Sequence, residues 1–292
     1  EELIFQARNK IKAVAGLDSG IEMGDMYVNN SLFGDLPVII STIQTQTRRM
    51  SRFKPQDFGL LVIDEGAHIV ARTYKNLVHY YKENNPNIKI LTVTPVPDRA
   101  DEEALGQIID TVAFDYEIVD AIHDGWLVPV DQMMVTLGSL DLTHVRTTAG
   151  DLNGADLSAV MEEEKNLQGV VQPTLETMYG LSPHSLDLFP ISEWAGILKS
   201  QPQVRRTIVF AVSVVQAESL SNIFNRVDPN LSGWICGRTP KDQRRELLHR
   251  FADGDIKIMV NVGVLTEGFD DPGVGMVAMA RPTKSRALYA QA

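Results

Sequence analysis

Short apolar runs, each followed by a segment with helical periodicity, recur along this chain in two series. In the first, Val38-Ile39-Ile40, Leu60-Leu61-Val62-Ile63 and Ile88 to Val93 read as buried strands. The second holds Ile208-Val209-Phe210, Trp234-Ile235, Ile256 to Val260 and Met276 to Met279. Helices are predicted over Glu1 to Val14, Arg72 to Glu83, Asp101 to Ile109, Val214 to Arg226, Lys241 to Ala252 and from Lys284 onward. Strand and helix in alternation are the signature of parallel sheets covered by helices, so the chain is expected to be α/β.

Between the two series, from about Thr136 to Arg205, the pattern loosens. Gly150, Gly154 and Gly180 punctuate this stretch, and Pro183, Pro190 and Pro202 break its later part. Asp156 to Met178 is expected to contain an amphipathic helix with Leu157, Val160, Met161, Leu167 and Val171 on its apolar side. The predicted organisation is therefore a first lobe at 1–135, a partly helical linker or insertion at 136–205, and a second lobe at 206–292.

A length of 292 residues exceeds one hydrophobic core, which agrees with two lobes. No apolar run approaches the roughly 20 residues that span a bilayer, and Glu1-Glu2-Leu3 lacks a basic leader and an initiator Met, so a soluble piece of a longer protein, without a membrane partner, is expected. The single Cys236 allows neither an internal disulfide nor a cysteine-based zinc site, which suits a reducing cytoplasm. A net charge of −11 argues against holding nucleic acid by bulk electrostatics, so any such site must be local. The best basic cluster is Arg48, Arg49, Arg52 and Lys54, which a solvated loop explains equally well.

In open α/β sheets ligands bind at the carboxyl ends of strands. Those ends are polar here: Ile40 leads into Ser41-Thr42-Ile43-Gln44-Thr45, Ile63 into Asp64-Glu65, Leu91 into Thr92-Val93-Thr94-Pro95, Phe210 into Ser213, and Val260 into Asn261, Thr266, Glu267 and Asp270. The pair Asp64-Glu65 is the most informative. An acid at a strand end can hold Mg²⁺ through water while its neighbour orients or deprotonates an attacking water, which is what nucleotide hydrolysis requires. The plain alternative is a pair of acids capping the next helix.

Leu61-Val62-Ile63-Asp64-Glu65-Gly66-Ala67-His68 resembles motif II, the DEAH-type Walker B, of superfamily 2 helicases, and other motifs follow in family order. Glu1-Glu2-Leu3-Ile4 is similar to the tail of motif Ia, and Ile40 to Thr45 to the segment that approaches the nucleic-acid backbone. Leu91 to Pro95 resembles motif III, Val209 to Ser213 motif IV, Asn261 to Pro272 motif V, and Arg281-Pro282-Thr283-Lys284-Ser285 through Gln291 the approach to motif VI. The likeness is strongest to phage and bacterial motors related to restriction-enzyme translocase subunits. It implies two RecA-like lobes, each a mostly parallel sheet flanked by helices, with ATP and Mg²⁺ as cofactors and nucleic acid, DNA before RNA, as partner, in the cytoplasm of a bacterium or phage-infected cell.

Carried over by position, the resemblance gives Asp64 the Mg²⁺ shell and Glu65 the hydrolytic water, and brings Gly268 and Asp270 to the nucleotide. It makes His68, Thr92 and Thr94 couple the ATP site to the track, and places Thr42, Gln44, Thr45, Arg48, Arg49, Arg238, Thr239, Asn261 and Thr266 on nucleic acid. Several have plainer readings. Thr92 and Thr94 suit a tight turn before Pro95, Asp270 and Asp271 a turn before Pro272, and Thr239-Pro240 a helix start with Thr239 as cap. The remaining histidines show no metal-like spacing.

Two departures from the family pattern bear on activity. The phosphate loop G-x-x-x-x-G-K-[ST] is absent, and the chain ends where motif VI should continue into its arginines, so both ends are expected to be truncated and the chain by itself to hydrolyse ATP poorly. Ala67 stands where the DEAH histidine is usual, which removes a side-chain link between motifs II and III. Two rivals follow: a protein-translocation ATPase, mildly favoured by the acidic charge, and a relative that binds nucleic acid or a partner without turnover.

Overall fold

The apolar runs become parallel strands, and the polar residues that follow them gather at the strands' carboxyl ends. The structure, a computed structural model, describes residues 2–28, 36–94, 106, 108–265, 269 and 271–285. It divides into two units, Glu1–Tyr116 and Glu117–Ala292.

The first unit opens with helix α1 (Glu2–Ala15) and strand β1 (Ser19–Glu22), which pairs in parallel with β2 (Val38–Ser41). A short helix α2 (Ile43–Arg48) follows. Strand β3 (Leu60–Ile63), helix α3 (Arg72–Asn84) and β4 (Lys89–Thr92) form a β-α-β unit in which Ile63 pairs with Thr92. Helix α3 buries Leu77, Val78 and Tyr81. Val78 joins Ile63, Ile69 and Val70, while Leu77 and Tyr81 pack with Ile88, Ile43, Met50 and Phe58. One stripe of α3 thus fastens both β3 and the start of α2. Strand β1 was not foreseen because Ile21 is its one large apolar residue, and its last residue, Glu22, is fully buried. The helix predicted at 101–109 falls mostly outside the described residues.

In the second unit, β7 (Arg206–Phe210), β8 (Ser232–Cys236), β9 (Ile258–Val262) and β10 (Val274–Met279) form one parallel sheet in the order β10-β7-β9-β8. Helices α8 (Val214–Val227) and α9 (Lys241–Ala252) connect its strands. Successive strand residues point to opposite faces, and both faces are covered. Val209, Ile258 and Val260 enter one core, whereas Ile208, Phe210 and Met259 enter another that contains Phe251 of α9.

Residues 136–205, read from the sequence as a linker or insertion, supply much of the first of these cores. After α4 (Ile118–His123) and a small antiparallel hairpin of β5 (Thr147–Thr148) and β6 (Asp151–Leu152) come α5 (Gly154–Met161), α6 (Glu164–Met178) and α7 (Ile191–Lys199). Leu157, Met161, Leu167, Val171, Leu175, Met178, Trp194 and Leu198 share one cluster with Ala217, Leu220 and Phe224 of α8. The stretch is thus structural cover for the second sheet, because a buried strand needs apolar partners on both faces. The single helix expected over 156–178 is two, broken at Glu162 and Glu163, with the expected apolar side turned inward. Among the described residues no helix is long and apolar enough to cross a membrane.

Candidate functional site

Asp64 and Glu65 follow β3 directly, and the chain turns sharply there. Glu65 takes the left-handed conformation, φ 51°, which is uncommon for a residue with a side chain and costs on the order of 1–3 kcal/mol. Its amide donates to Asp64 Oδ1 at 3.0 Å. The next residue fixes the turn against β4: the Gly66 amide donates to the Val93 carbonyl at 2.8 Å, and the Val93 amide to the Ile63 carbonyl at 3.0 Å. A Cβ on Gly66 would lie 2.7 Å from Thr92 Cβ, so only glycine allows this approach. The segments that resemble motifs II and III are therefore joined by backbone and by close packing. His68 lies in the 3₁₀ turn Gly66–Val70.

Asp64 is exposed and Glu65 and Thr92 are half-buried at the carboxyl edge of β3 and β4, as is Thr94 just beyond. Among the described residues no cluster of three or more His, Cys, Asp or Glu side chains forms a metal cage. One carboxylate beside open solvent fits Mg²⁺, which keeps several waters and takes its remaining ligands from phosphate oxygens.

At the end of β2, Thr42 caps α2: its hydroxyl accepts from the Thr45 amide at 3.3 Å and donates to Thr45 Oγ1 at 3.0 Å. Gln44 and Arg48 are exposed. Arg49 turns inward, although both it and Arg48 were expected on nucleic acid. Its guanidinium donates to Glu22 Oε1 at 2.8 Å and to the carbonyls of Met26 and Gly24, and lies over the Tyr27 ring, 4.0 Å from its centroid. Arg52 approaches the same carboxylate at 3.7 Å and the same ring at 4.8 Å. Glu22 also accepts from the Val28 amide at 2.7 Å. A buried carboxylate demands such partners, so Arg49 is the tie between α2 and the end of β1. Sequence reasoning missed Glu22 and Tyr27, since nothing near either marks it as special. Deeper in, Gln46 donates to the Tyr81 hydroxyl at 2.7 Å, and burial pushes that phenol up to about 12.

In the second unit, Asn261, carried over by position as a nucleic-acid ligand, braces the structure from inside. It is fully buried, its Nδ2 donates to the Val209 carbonyl at 3.2 Å, and its Oδ1 accepts from the amides of Val264 and Leu265. Both ends of the amide are therefore used inside the protein. Thr239 is half-buried, and its hydroxyl accepts from the Cys236 amide at 2.9 Å. The cap of α9 is Pro240, one residue later than Thr239. Arg238 beside it is exposed. Thr266, Gly268 and Asp270 lie outside the described residues.

After the loop that follows β9, the chain is anchored where it rejoins the sheet. Asp271 accepts two bonds from Arg206, each 2.7 Å, and one from the Gly273 amide at 2.9 Å. Arg206 also donates to the Phe251 carbonyl at 2.8 Å and lies over the Phe251 ring. The Arg206 guanidinium holds the Asp271 carboxyl below the usual range. A Cβ on Gly273 would overlap Arg206 Nη2. Nearby, Ser213 caps α8 and donates to Glu162 Oε1, while the buried Gln216 accepts from the Val212 amide at 2.7 Å and donates to the Ala280 carbonyl at 3.0 Å. The ends of β7 and β10 are thus joined through one side chain.

Residues 191–292 match the helicase conserved C-terminal domain. Along its length the chain is similar to "Putative ATP-dependent helicase IRC3" of Saccharomyces cerevisiae, 27% identical over 293 residues, an alignment that takes in 99% of this chain and 39% of that protein. A 51.5 kDa protein of a Lactococcus phage is 25% identical over 233 residues, 80% of this chain and 44% of its own. The chain therefore spans about two fifths of the length of these relatives. The helicase domain of Pyrococcus furiosus Hef, 15% identical, has the same fold with a TM-score of 0.53 over 100% of this chain and 81% of that one.

Proposed function

We propose that this chain is of the superfamily 2 helicase type and supplies two ATPase lobes of a nucleic-acid-dependent motor. The observation that carries the reading is the turn at Asp64 and Glu65. Two adjacent carboxylates stand at the end of a parallel strand, one of them in a strained backbone conformation, and the Gly66–Val93 bond holds the turn. Backbone strain held by its surroundings is characteristic of sites that do chemistry.

Asp64 would hold Mg²⁺ through water, and the ion would supply charge neutralisation on the phosphates. Glu65, half-buried beside it, would orient the attacking water and take up its proton. Thr92, the partner of Ile63 across the strand pair, and Thr94 just beyond it would pass a change at this turn to neighbouring segments. Gln44 and Arg48, the exposed members of the segment after β2, would meet the nucleic acid. DNA is the proposed track because the resemblance is strongest to restriction-type motors.

The chain contains no G-x-x-x-x-G-K-[ST] loop. We infer that on its own it hydrolyses ATP poorly, the cradle for the phosphates being one of backbone amides and a lysine.

Steady-state ATP hydrolysis by the full-length protein, with and without DNA, RNA or an unfolded polypeptide, tests the reading. Stimulation by DNA, lost in Glu65→Gln, is expected. Stimulation by polypeptide alone would transfer the lobes to protein translocation, which the acidic charge favours, and absence of turnover in every condition would leave a binding protein.

A further inference from the structure

The hairpin of β5 and β6 lies outside the residues that match the helicase domain, yet it grips a segment within them. Asp151 Oδ1 accepts from the Lys284 amide at 2.7 Å, and Oδ2 from the Thr283 hydroxyl at 2.9 Å. Lys284 Nζ donates to Thr147 Oγ1 at 2.8 Å, on the partner strand of the hairpin. The Thr283 hydroxyl in turn accepts from the Ser285 amide at 3.0 Å, and Arg281 Nη2 stands 3.8 Å from Asp151. These partners lie about 130 residues apart in sequence.

The hairpin is built to present Asp151. Its turn residues Ala149 and Gly150 both have positive φ, 51° and 82°, the arrangement of a tight two-residue hairpin, and alanine is strained there. It is braced on α5. Arg146 makes a two-pronged contact with Asp156, at 2.7 and 2.9 Å, and the Asn153 amide donates to the Arg146 carbonyl at 2.7 Å. Burial raises the Asp151 carboxyl, but the amides of Lys284 and Leu152, the Thr283 hydroxyl and Arg281 outweigh it and leave it below the usual range.

The gripped segment leaves the carboxyl end of β10, the edge where α/β sheets bind ligands. It is held at both ends, with Ala280 bonded to Gln216 and Thr283 and Lys284 bonded to Asp151. We infer that Asp151 is a positioning residue: the β5–β6 hairpin clasps residues 281–285 and sets where they stand at the carboxyl edge of the sheet, from which they meet the nucleotide. The functional half of this inference rests on the proposed ATPase; the clasp does not.

Hydrogen–deuterium exchange and turnover in the full-length protein, compared between wild type, Asp151→Ala and Thr283→Val, test the two halves separately. Thr283→Val removes one hydroxyl and guards against a folding defect in Asp151→Ala. Both variants are expected to exchange the Lys284 and Ser285 amides at least about tenfold faster while the β9 amides stay protected. The value of kcat is expected to fall about tenfold with KM for ATP within about twofold, since the binding groups themselves are untouched. Unchanged exchange at 284 and 285 would overturn the clasp. Faster exchange with unaltered kcat would overturn the positioning role. Should the wild-type protein show no turnover, the ATPase reading fails and exchange alone decides the clasp.

Discussion

Removing the carboxylate of Asp271 is expected to destabilise the second unit by about 2–3 kcal/mol. A hydrogen bond to a charged group contributes about 1.5–3 kcal/mol, and breaking a buried ion pair from one side costs about 3–5 kcal/mol. The Arg206 and Asp271 side chains are 16% and 14% exposed, and Arg206 keeps its bond to the Phe251 carbonyl, so the lower part of that range applies. Asp271→Asn keeps the shape and removes the charge. Gly273→Ala attacks the same pair from outside, since its Cβ would overlap Arg206 Nη2 and drive the guanidinium away. Each substitution should lower the melting temperature by roughly 5–10 °C for a unit of this size. In the double variant the costs should not add, because one interaction is being removed twice. Urea unfolding followed by tryptophan fluorescence gives the free energies, and the buried Trp194 reports on this unit. The effect should also depend on pH in one direction. Arg206 depresses the folded pKa of Asp271, so the stabilisation is complete above the unfolded value of about 4 and disappears as pH falls through the depressed folded value. The gap between wild type and Asp271→Asn should therefore narrow in acid. A cost under about 0.5 kcal/mol at neutral pH, or full additivity with Gly273→Ala, would refute the reasoning.

Arg48→Ala should weaken DNA binding and reduce the slope of log K against log salt by about one, whereas Arg49→Ala should lower thermal stability and leave the slope unchanged. Equal slopes for the two variants, measured by fluorescence anisotropy over a salt series, would contradict the inward assignment of Arg49. Gly66→Val should cost about 1–3 kcal/mol by overpacking against Thr92, read as a lower urea midpoint for the first unit; an unmoved midpoint would mean that the turn has room to spare. Arg146 holds Asp156 down to about 2, so the bond that braces the hairpin should persist in mild acid, begin to weaken only below about 4 and be lost as pH falls through about 2. Exchange rates at Asn153 across a pH series, corrected for intrinsic exchange, check this, and loss of protection already near pH 6 would count against it.

Much of the architecture was legible because strands and helices announce themselves by local period. The runs at 60–63, 208–210 and 256–260 became β3, β7 and β9 within a residue or two, and Lys241–Ala252 is the predicted helix. Asp64 and Glu65 were legible for the same reason, since polarity at the end of an apolar run needs no partner to be noticed. Partnership over distance could not be read. Nothing around Glu22 reveals that it is buried beneath Arg49, and nothing in Thr147 to Leu152 points to Thr283. The internal bonds of Asn261 were hidden for a related reason: an asparagine that braces a loop from inside and one that contacts a ligand occupy the same place at the end of a strand.

The shared cover of the second sheet sets where this protein can be cut. A piece begun at residue 206 would keep every strand of the sheet and lose the helices that bury Leu220 and Phe224. It would carry an exposed apolar face larger than monomers tolerate and would be expected to aggregate. A piece begun at residue 191, where the domain match starts, would retain Trp194 and Leu198 but strip away α5 and α6. The cover of this sheet begins well before the domain match, so a piece meant to keep its core buried must start upstream of α5.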